Sequence, residues 1–297
     1  QSGPCSLGHH RHGPLWALGA LQGLCKCRMP NGWVTVPLPQ GGSLRFAPAG
    51  SGCGSSGCRL WTSSVVLCGA LHAVRSRLSG LRAVELGAGA GAPGLLAARL
   101  GCSKVLVSDA GEEPLQVLRG NVKRFQASLS GKEGEGCRLD AAALDFTELR
   151  HVAACAGAER FDLVLASDCA YEPGKAAQLM AAVSNLLALG GFALVADRNR
   201  PLSGPAVRAQ FRAEAERYGL AVEELDPGQS FQEGLAAMGL INGAEGLITG
   251  CVDGRSFLLR ITWQGDDRAA SAVAGDIQTK DAALSAPPLP LSLDEMD

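Results

Sequence analysis

The chain has 297 residues, enough for one large domain or two small ones with a sizeable core. Its 27 basic and 29 acidic side chains nearly cancel, to a formal net charge of −2, so bulk electrostatics point to neither a nucleic acid nor a membrane surface. No apolar run approaches the length of a membrane span.

The first residue is Gln1 rather than Met, as in a fragment or a processed form. No Asp or Glu precedes Glu85, whereas Arg11, Lys26, Arg28, Arg45, Arg59, Arg75, Arg77 and Arg82 do. An acid-free start containing Arg and Ser is the composition of an organelle transit segment. A chance run in an Ala-, Gly- and Arg-rich chain is the simpler account of everything after about residue 30. Residues 1–30 have no clear period and are expected to be disordered or processed, with His9, His10 and His12 in a solvated tail. The 11 cysteines, an odd number, are scattered, and no signal peptide is visible. This reads as free thiols in a reducing compartment, cytoplasmic by expectation, with a plastid or mitochondrion as the alternative if the start is a transit segment. Cys25 and Cys27 with Cys53 and Cys58 approach a four-thiolate zinc set, but the spacings lack C-x-x-C knuckles, and no metal is expected.

A single domain is expected over 31–264. Trp33 to Leu38 and Ser43 to Ala47 read as two short strands joined at Gly41-Gly42, a β-hairpin. A flexible Gly/Ser loop is expected from Ala49 to Gly57. Leu60-Trp61-Thr62 then opens a helix capped by Thr62 or Ser63, with Leu67, Leu71, Val74 and Leu78 at helical spacing. From Leu81 strands and helices alternate. The strand Leu81 to Leu86 runs into Gly87-Ala88-Gly89-Ala90-Gly91, and Pro93 opens a helix that ends at Gly101. A second strand, Lys104 to Ser108, ends at Asp109, and its helix carries Glu112 and Glu113 in the first turn. A polar loop leads to a third strand, Arg138 to Phe146. The fourth, Phe161 to Ala166, ends in Ser167-Asp168-Cys169, and its helix is expected to close at Gly190. Phe192 to Ala196 is the fifth strand, Pro205 to Tyr218 a helix and Leu220 to Leu225 a sixth strand. The glycine-rich stretch Asp226 to Arg255 reads as an insertion, Ser256 to Trp263 as a final strand, and 265–297 as a disordered tail.

This alternation predicts an α/β fold: a Rossmann-like, doubly wound, mostly parallel sheet covered on both faces, preceded by the hairpin. Ligands of such sheets lie beyond the carboxyl ends of the strands. That rule places Gly87 to Gly91, Asp109, Asp145-Phe146 and Ser167 to Tyr171 on one rim.

Two ligands compete for the rim. Gly89-x-Gly91-x-x-Gly94 followed by Asp109 satisfies the dinucleotide fingerprint and predicts NAD or a relative. No Lys follows Gly94, which excludes a phosphate-binding Walker loop. S-adenosylmethionine is the second reading, and Glu85 suits it better, because a carboxylate beside a pyrophosphate is repelled whereas the amino group of this cofactor is attracted. Asp109 would then take the ribose hydroxyls, and Asp145 and Phe146 would flank the adenine. Asp109 is also placed to cap a helix, and Phe146 to be a core aromatic.

Three runs carry a resemblance: Leu60-Trp61-Thr62-Ser63-Ser64-Val65-Val66-Leu67, Val84-Glu85-Leu86-Gly87-Ala88-Gly89-Ala90-Gly91-Ala92-Pro93-Gly94, and Ala166-Ser167-Asp168-Cys169-Ala170-Tyr171-Glu172-Pro173. Together they resemble the seven-β-strand methyltransferases, and more narrowly the protein-lysine branch with a D-x-x-Y motif after strand four, methyltransferase family 16. The resemblance spans about Trp33 to Trp263. It implies a seven-stranded sheet whose last strand is antiparallel and inserted between strands five and six. It implies that Trp61, Glu85, Gly87, Ala88, Gly89, Asp109, Asp145, Phe146 and Ser167 form the S-adenosylmethionine site, and that Asp168 and Tyr171 border the methyl group as catalytic residues. The family often has a Trp after the acid of strand three, where this chain has Phe146, and the segment before the last strand has no counterpart in it.

Methyl transfer from a sulfonium is an in-line displacement in which the protein supplies position and electrostatics. A lysine acceptor must first lose its proton, which desolvation favours. The expectation is therefore a monomeric S-adenosylmethionine-dependent N-methyltransferase acting on a protein lysine, with no nucleic-acid or membrane partner. The alternatives are an arginine or small-molecule amine methyltransferase, an NAD(P)-dependent oxidoreductase, and a non-catalytic partner-binding module on the same fold.

Overall fold

The structure is a computed structural model, and it describes residues 32–38, 42–48, 51–52, 54–129, 136–157, 160–172, 174–198, 204–240, 248 and 256–265. The expected N-terminal segment 1–30 and the tail after Gly265 lie outside the described residues, as do Cys25, Cys27 and Cys53 of the zinc set considered above.

Strands β1 (Val34–Pro37) and β2 (Ser43–Phe46) pair antiparallel, with Val34 opposite Phe46 and Val36 opposite Leu44. This is the expected hairpin. Its four apolar partners are buried, and β2 packs against helix α3 (Glu112–Leu129).

The main sheet holds β3 (Arg82–Leu86), β4 (Lys104–Asp109), β5 (Arg138–Ala143), β6 (Phe161–Ser167), β7 (Leu187–Arg198), β8 (Leu220–Leu225) and β9 (Ser256–Trp263). Their order is β5-β4-β3-β6-β7-β9-β8. Strands β3 to β7 run parallel, and β9 lies antiparallel between β7 and β8, the arrangement that the resemblance implied. Burial on both faces explains the unbroken apolar run in β6. Leu163 and Leu165 face the layer of α1 (Thr62–Ala73), α2 (Ala92–Arg99), α3 and α7 (Pro227–Ala237). Val164 and Ala166 face α4 (Leu149–Ala156), α5 (Lys175–Leu186) and α6 (Gly204–Arg217). The chain steps outward from β3 through β5 and returns to β6 beside β3. The carboxyl ends of β3, β4 and β6 therefore open on one crevice.

Several local expectations are corrected. The stretch after Leu225 is no mere insertion: Asp226 caps α7, accepting from the N–H of Gly228 at 2.8 Å, and Pro227 occupies the first turn. Phe231, Leu235 and Met238 recur at helical spacing and are buried in the core. Helix α7 crosses α1 at very close range. A Cβ at Gly69 would run into the carbonyl of Ser230, and one at Gly234 into that of Val65. The glycines are contact points here rather than loop formers. Helix α5 ends at Leu186, short of Gly190, because Leu187 already extends opposite Phe161 of β6. The Leu187 carbonyl, freed from the helix, accepts from Trp263 Nε1 and from Arg160, both at 3.4 Å. Neither Thr62 nor Ser63 caps α1; its cap is Trp61, with no side-chain cap hydrogen bond, and both residues lie buried inside the helix. Strand β5 stops at Ala143, before Asp145-Phe146.

The close crossing generates a direct test. Gly69→Ala should destabilise the fold by about 1–3 kcal/mol through overpacking, which lowers the thermal midpoint by several degrees. Gly228→Ala, whose added Cβ would meet only the Asp226 carboxylate at 3.3 Å, should be close to neutral. Equal midpoints for the two variants would restore the insertion reading.

Candidate cofactor and active site

The crevice is built on the turn that follows β3. Gly87 and Gly89 have φ of 58° and 53°, in the left-handed region that favours glycine. Space forbids a side chain as well: a Cβ at Gly89 would stand 2.5 Å from the Gly57 carbonyl oxygen, and one at Gly87 2.7 Å from Cys169 Sγ. The turn is tied to β4. Ala88 N–H donates to the Ser108 carbonyl at 2.8 Å, and Ser108 Oγ donates to the Glu85 carbonyl at 2.7 Å. Asp109 closes the end of β4. Its Oδ2 accepts from Gly89 N–H and its Oδ1 from Gly111 N–H, each at 2.9 Å.

Glu85 sits beneath this turn, wholly buried, and does not line the crevice. Its Oε2 accepts the N–H of Gly94, the third residue of α2, at 2.8 Å, while Oε1 is buried without a partner. Of the residues expected to bind the cofactor, Glu85 is thus placed beneath the turn rather than in the crevice wall. Burial raises its pKa to about 8; the Gly94 bond pulls the other way and loses.

Across the crevice, Asp145 Oδ1 accepts from both Thr147 N–H (2.9 Å) and Thr147 Oγ1 (2.7 Å). Burial pushes the Asp145 carboxyl up, but the two Thr147 bonds and the Lys175 charge outweigh it and hold the carboxyl below the usual range. Lys175 Nζ lies 5.8 Å from the centre of the half-buried Phe146 ring.

The end of β6 completes the rim. Ser167 Oγ and Ser64 Oγ of α1 share a hydrogen bond at 2.9 Å. Asp168 follows with φ of 55°, the one non-glycine residue with positive φ among the described residues. Its N–H is held by the Ala196 carbonyl at 2.9 Å, and Tyr171 next to it is 51% exposed. Strain of this kind, about 1–3 kcal/mol, persists where the surroundings over-determine it, commonly at functional sites.

Together these elements enclose about 620 Å³. Trp61, Gly87, Ala88, Gly89, Asp109, Asp145, Phe146, Ser167, Asp168 and Tyr171 all line it; of the residues that the resemblance implies for the site only Glu85 stands back, and of the expected rim Ala90, Gly91 and Ala170 do. The sequence reading missed the strap from Ser55 to Arg59. Far from a free loop, Ser55 N–H donates to Glu113 Oε2 at 2.9 Å, Ser56 to Cys58 form a short 3-10 turn, and the Ser56 carbonyl accepts Trp61 Nε1 at 3.0 Å. Glu112 and Glu113, taken as helix-end charges, belong to the same wall, as does Lys175. The lining carries five carboxyl side chains, Asp109, Glu112, Glu113, Asp145 and Asp168, against two cations, Arg59 and Lys175, a balance that suits a cationic ligand. Among the described residues no helix is long and apolar enough to cross a membrane, and no cluster of ligating side chains could hold a metal ion.

The sheet order, with its last strand reversed and inserted, and the glycine turn at the strand ends define the Rossmann-like methyltransferase fold. The chain belongs to the lysine methyltransferase family, whose sequence model matches residues 43–212. It is an S-adenosylmethionine-dependent methyltransferase, and the dinucleotide alternative falls away. Solved structures similar to it include magnesium protoporphyrin IX methyltransferase from Synechocystis PCC 6803 with bound SAH, at 14% identity over 68% of this chain and 82% of that one, TM-score 0.46. The CcbJ methyltransferase from Streptomyces caelestis is similar at 15% identity over 68% and 90%, TM-score 0.46. The ribosomal protein L11 methylase from Lactobacillus delbrueckii subsp. bulgaricus is similar at 16% over 66% and 77%, TM-score 0.41. No curated protein sequence matches the chain.

The residues fit this cofactor. The crevice is large, acidic and floored by a backbone that no side chain obstructs, and Asp109 and Asp145 each have lone pairs left for a ligand's donors.

Glu85 has a consequence for stability. In the unfolded chain it ionises near 4.5, in the folded chain near 8, so between these values the folded state binds more protons. Stability should therefore fall as pH rises from about 5 to about 8, by at most about 1.4 kcal/mol per pH unit for this group, and then level off. Glu85→Gln, which keeps an acceptor for Gly94, should flatten that slope in thermal melts. An unchanged slope would mean that Glu85 is ionised in the folded protein.

Proposed function

We propose that the chain is a protein-lysine N-methyltransferase whose cofactor lies between the glycine turn and Asp145-Phe146, with its methyl group toward Asp168 and Tyr171. The observation that carries the reading is the acid-rich crevice ending at Asp168, which is fixed in a left-handed turn beside an exposed Tyr171. A sulfonium cofactor and an ammonium acceptor are both cations, and both gain from such a wall. Family membership supports a lysine acceptor over other amines.

On this reading each residue has a defined task. Asp109 takes the ribose hydroxyls with the lone pairs left by Gly89 and Gly111. The second oxygen of Asp145 accepts from the adenine amine, and Phe146 packs on the ring. Gly87, Ala88 and Gly89 admit the cofactor to backbone contact, with Glu85 holding the turn from below. Trp61 and Ser167 close the side toward α1. The bound cofactor supplies a methyl group activated by positively charged sulfur. Asp168 orients the incoming amine by hydrogen bonding, and Tyr171 walls the channel and desolvates it, which lowers the amine's pKa and exposes its lone pair.

Two measurements check this. With isotope-labelled S-adenosylmethionine and a hypomethylated protein extract, mass spectrometry should find label on lysine. Label on arginine or on a small-molecule amine would transfer the reading to those acceptors, and no label at all would leave a binding module. Asp109→Ala should weaken cofactor binding by about one to two powers of ten in calorimetry, the scale of a lost charge-assisted hydrogen bond. Asp168→Asn should leave cofactor affinity within a few fold but slow single-turnover transfer by about a hundredfold, with a smaller loss for Tyr171→Phe.

A further inference from the structure

Asp197, on β7 beside the end of β6, is a charged residue that the sequence reading passed over. It is wholly buried. Its Oδ2 accepts the N–H of Ala170 and its Oδ1 that of Arg198, each at 2.7 Å. Its carboxyl also hydrogen-bonds the carboxyl of Asp168. Two carboxylates have no donor between them and repel, so such a contact requires one shared proton. Asp168 lines the crevice, whereas Asp197 is wholly buried, where an ionised carboxylate is the costlier of the two. The proton therefore belongs to Asp197.

We propose that Asp197 is a positioning residue for methyl transfer, its protonated carboxyl donating to Asp168 and fixing the direction of that carboxylate at the rim. The inference rests on the reading of Asp168 as the group that orients the amine. Ala170 lies between Asp168 and Tyr171, so one buried side chain braces both ends of the D-x-x-Y segment. No covalent bond changes, and the proton stays between the two carboxyls. The surroundings oppose a second ionisation. Burial first, then the charge of Asp168, push the Asp197 carboxyl up. From β6 and the loop after it the titratable neighbours are Asp168, Cys169 and Tyr171; burial, then Asp197 and Asp168, push the Cys169 thiol well up and keep it neutral. Asp109 of β4 and Glu85 of β3, the latter held neutral by its burial, are the further acids near Cys169. From β9 the residue opposite Asp197 is Phe257, which does not titrate. Among the described residues the adjacent cation in sequence is Arg198, whose guanidinium lies 5.9 Å from the Trp61 ring centre.

The test compares Asp197→Asn, which keeps a donor toward Asp168 but cannot titrate, with Asp197→Ala, which keeps none. In single-turnover transfer to the hypomethylated extract at saturating S-adenosylmethionine, near pH 6.5, the Asn variant should lose about fivefold and the Ala variant about a hundredfold, with cofactor affinity held within about threefold. Toward pH 9 the parent loses its shared proton and with it the donor toward Asp168, whereas the Asn variant keeps its donor, so the parent-to-Asn ratio should fall from about five to below one. Ionisation of the acceptor lysine affects both and cancels in the ratio. A readout free of turnover is carbon NMR of aspartate-labelled full-length protein. One carboxyl should titrate far above the ordinary range, vanish in Asp197→Asn and titrate at lower pH in Asp168→Asn. If no such resonance exists, or if the ratio stays flat in an active parent, the positioning role is wrong while the proposed function stands. A parent that shows the resonance but methylates nothing overturns the proposed function and the positioning role with it.

Discussion

A carboxyl group buried beneath a glycine turn is the constraint on which the site depends. Glu85 occupies β3, an interior strand, between Val84 and Leu86, all wholly buried, where an ionisable side chain costs several kcal/mol unless it is partnered. Its partner is the N–H of Gly94, inside the first turn of α2. That one bond sets where the helix begins relative to the end of β3, and so how the five residues between them must turn. A Cβ at Gly94 would stand 2.7 Å from Glu85 Oε2 and would also run into Val107, so the bond needs glycine at its donor. The carbonyl of Glu85 receives Ser108 Oγ, and the carbonyl of Ser108 receives Ala88 N–H. Asp109, the next residue, holds Gly89 N–H. Strand, turn, helix and neighbouring strand thus form one closed set of bonds, and the crevice floor exists before any ligand arrives.

This arrangement explains what was legible in the sequence. The apolar runs of β3, β4 and β6 mark strands buried on both faces, and the strand-end rule then gathers the rim residues without any knowledge of contacts. Periodicity cannot tell whether an acid at a strand end faces the ligand or lies beneath it. Charge and the resemblance both put Glu85 in the site, and the structure holds it beneath the turn, bonded to Gly94 N–H. The strap from Ser55 to Arg59 was hidden for a different reason. Its composition is that of a loop, and its order comes from long-range partners: Glu113 for Ser55 N–H, and the Gly89 turn against the Gly57 carbonyl.

Glycine is hardest to read where it packs. Gly69 and Gly234 lie in facing helices whose backbones meet, and Gly190 and Gly191 lie inside β7 at a register shift between Phe161 and Leu163 on β6. Read one residue at a time, each is a helix breaker or a loop former. Read by what a side chain would strike, Gly69, Gly234 and Gly191 are places where only hydrogen fits; for Gly191 the obstacle is the Asp162 carbonyl at 2.7 Å. The segment after Leu225 was therefore taken as peripheral although Phe231 and Leu235 continue the core on the α1 side. The helix was announced by Asp226-Pro227, a cap followed by a first-turn proline, and that local signal outranks glycine content.

The strain at Asp168 completes the chemical logic of the rim. A glycine at this position would adopt φ of 55° without cost, and every other described residue with positive φ is glycine. An aspartate there means that the turn needs its carboxyl more than it needs relief. The backbone on either side explains how the conformation is held: Asp168 N–H is tied to the Ala196 carbonyl and Ala170 N–H to Asp197. Both anchors come from β7, a strand with buried residues from Phe192 to Asp197 and neighbours on both edges. On the proposed reading, an amine approaching beside the exposed tyrosine meets a carboxylate whose backbone is tied on both sides to a buried strand of the sheet. Orientation catalysis requires that division between a fixed director and a free reactant.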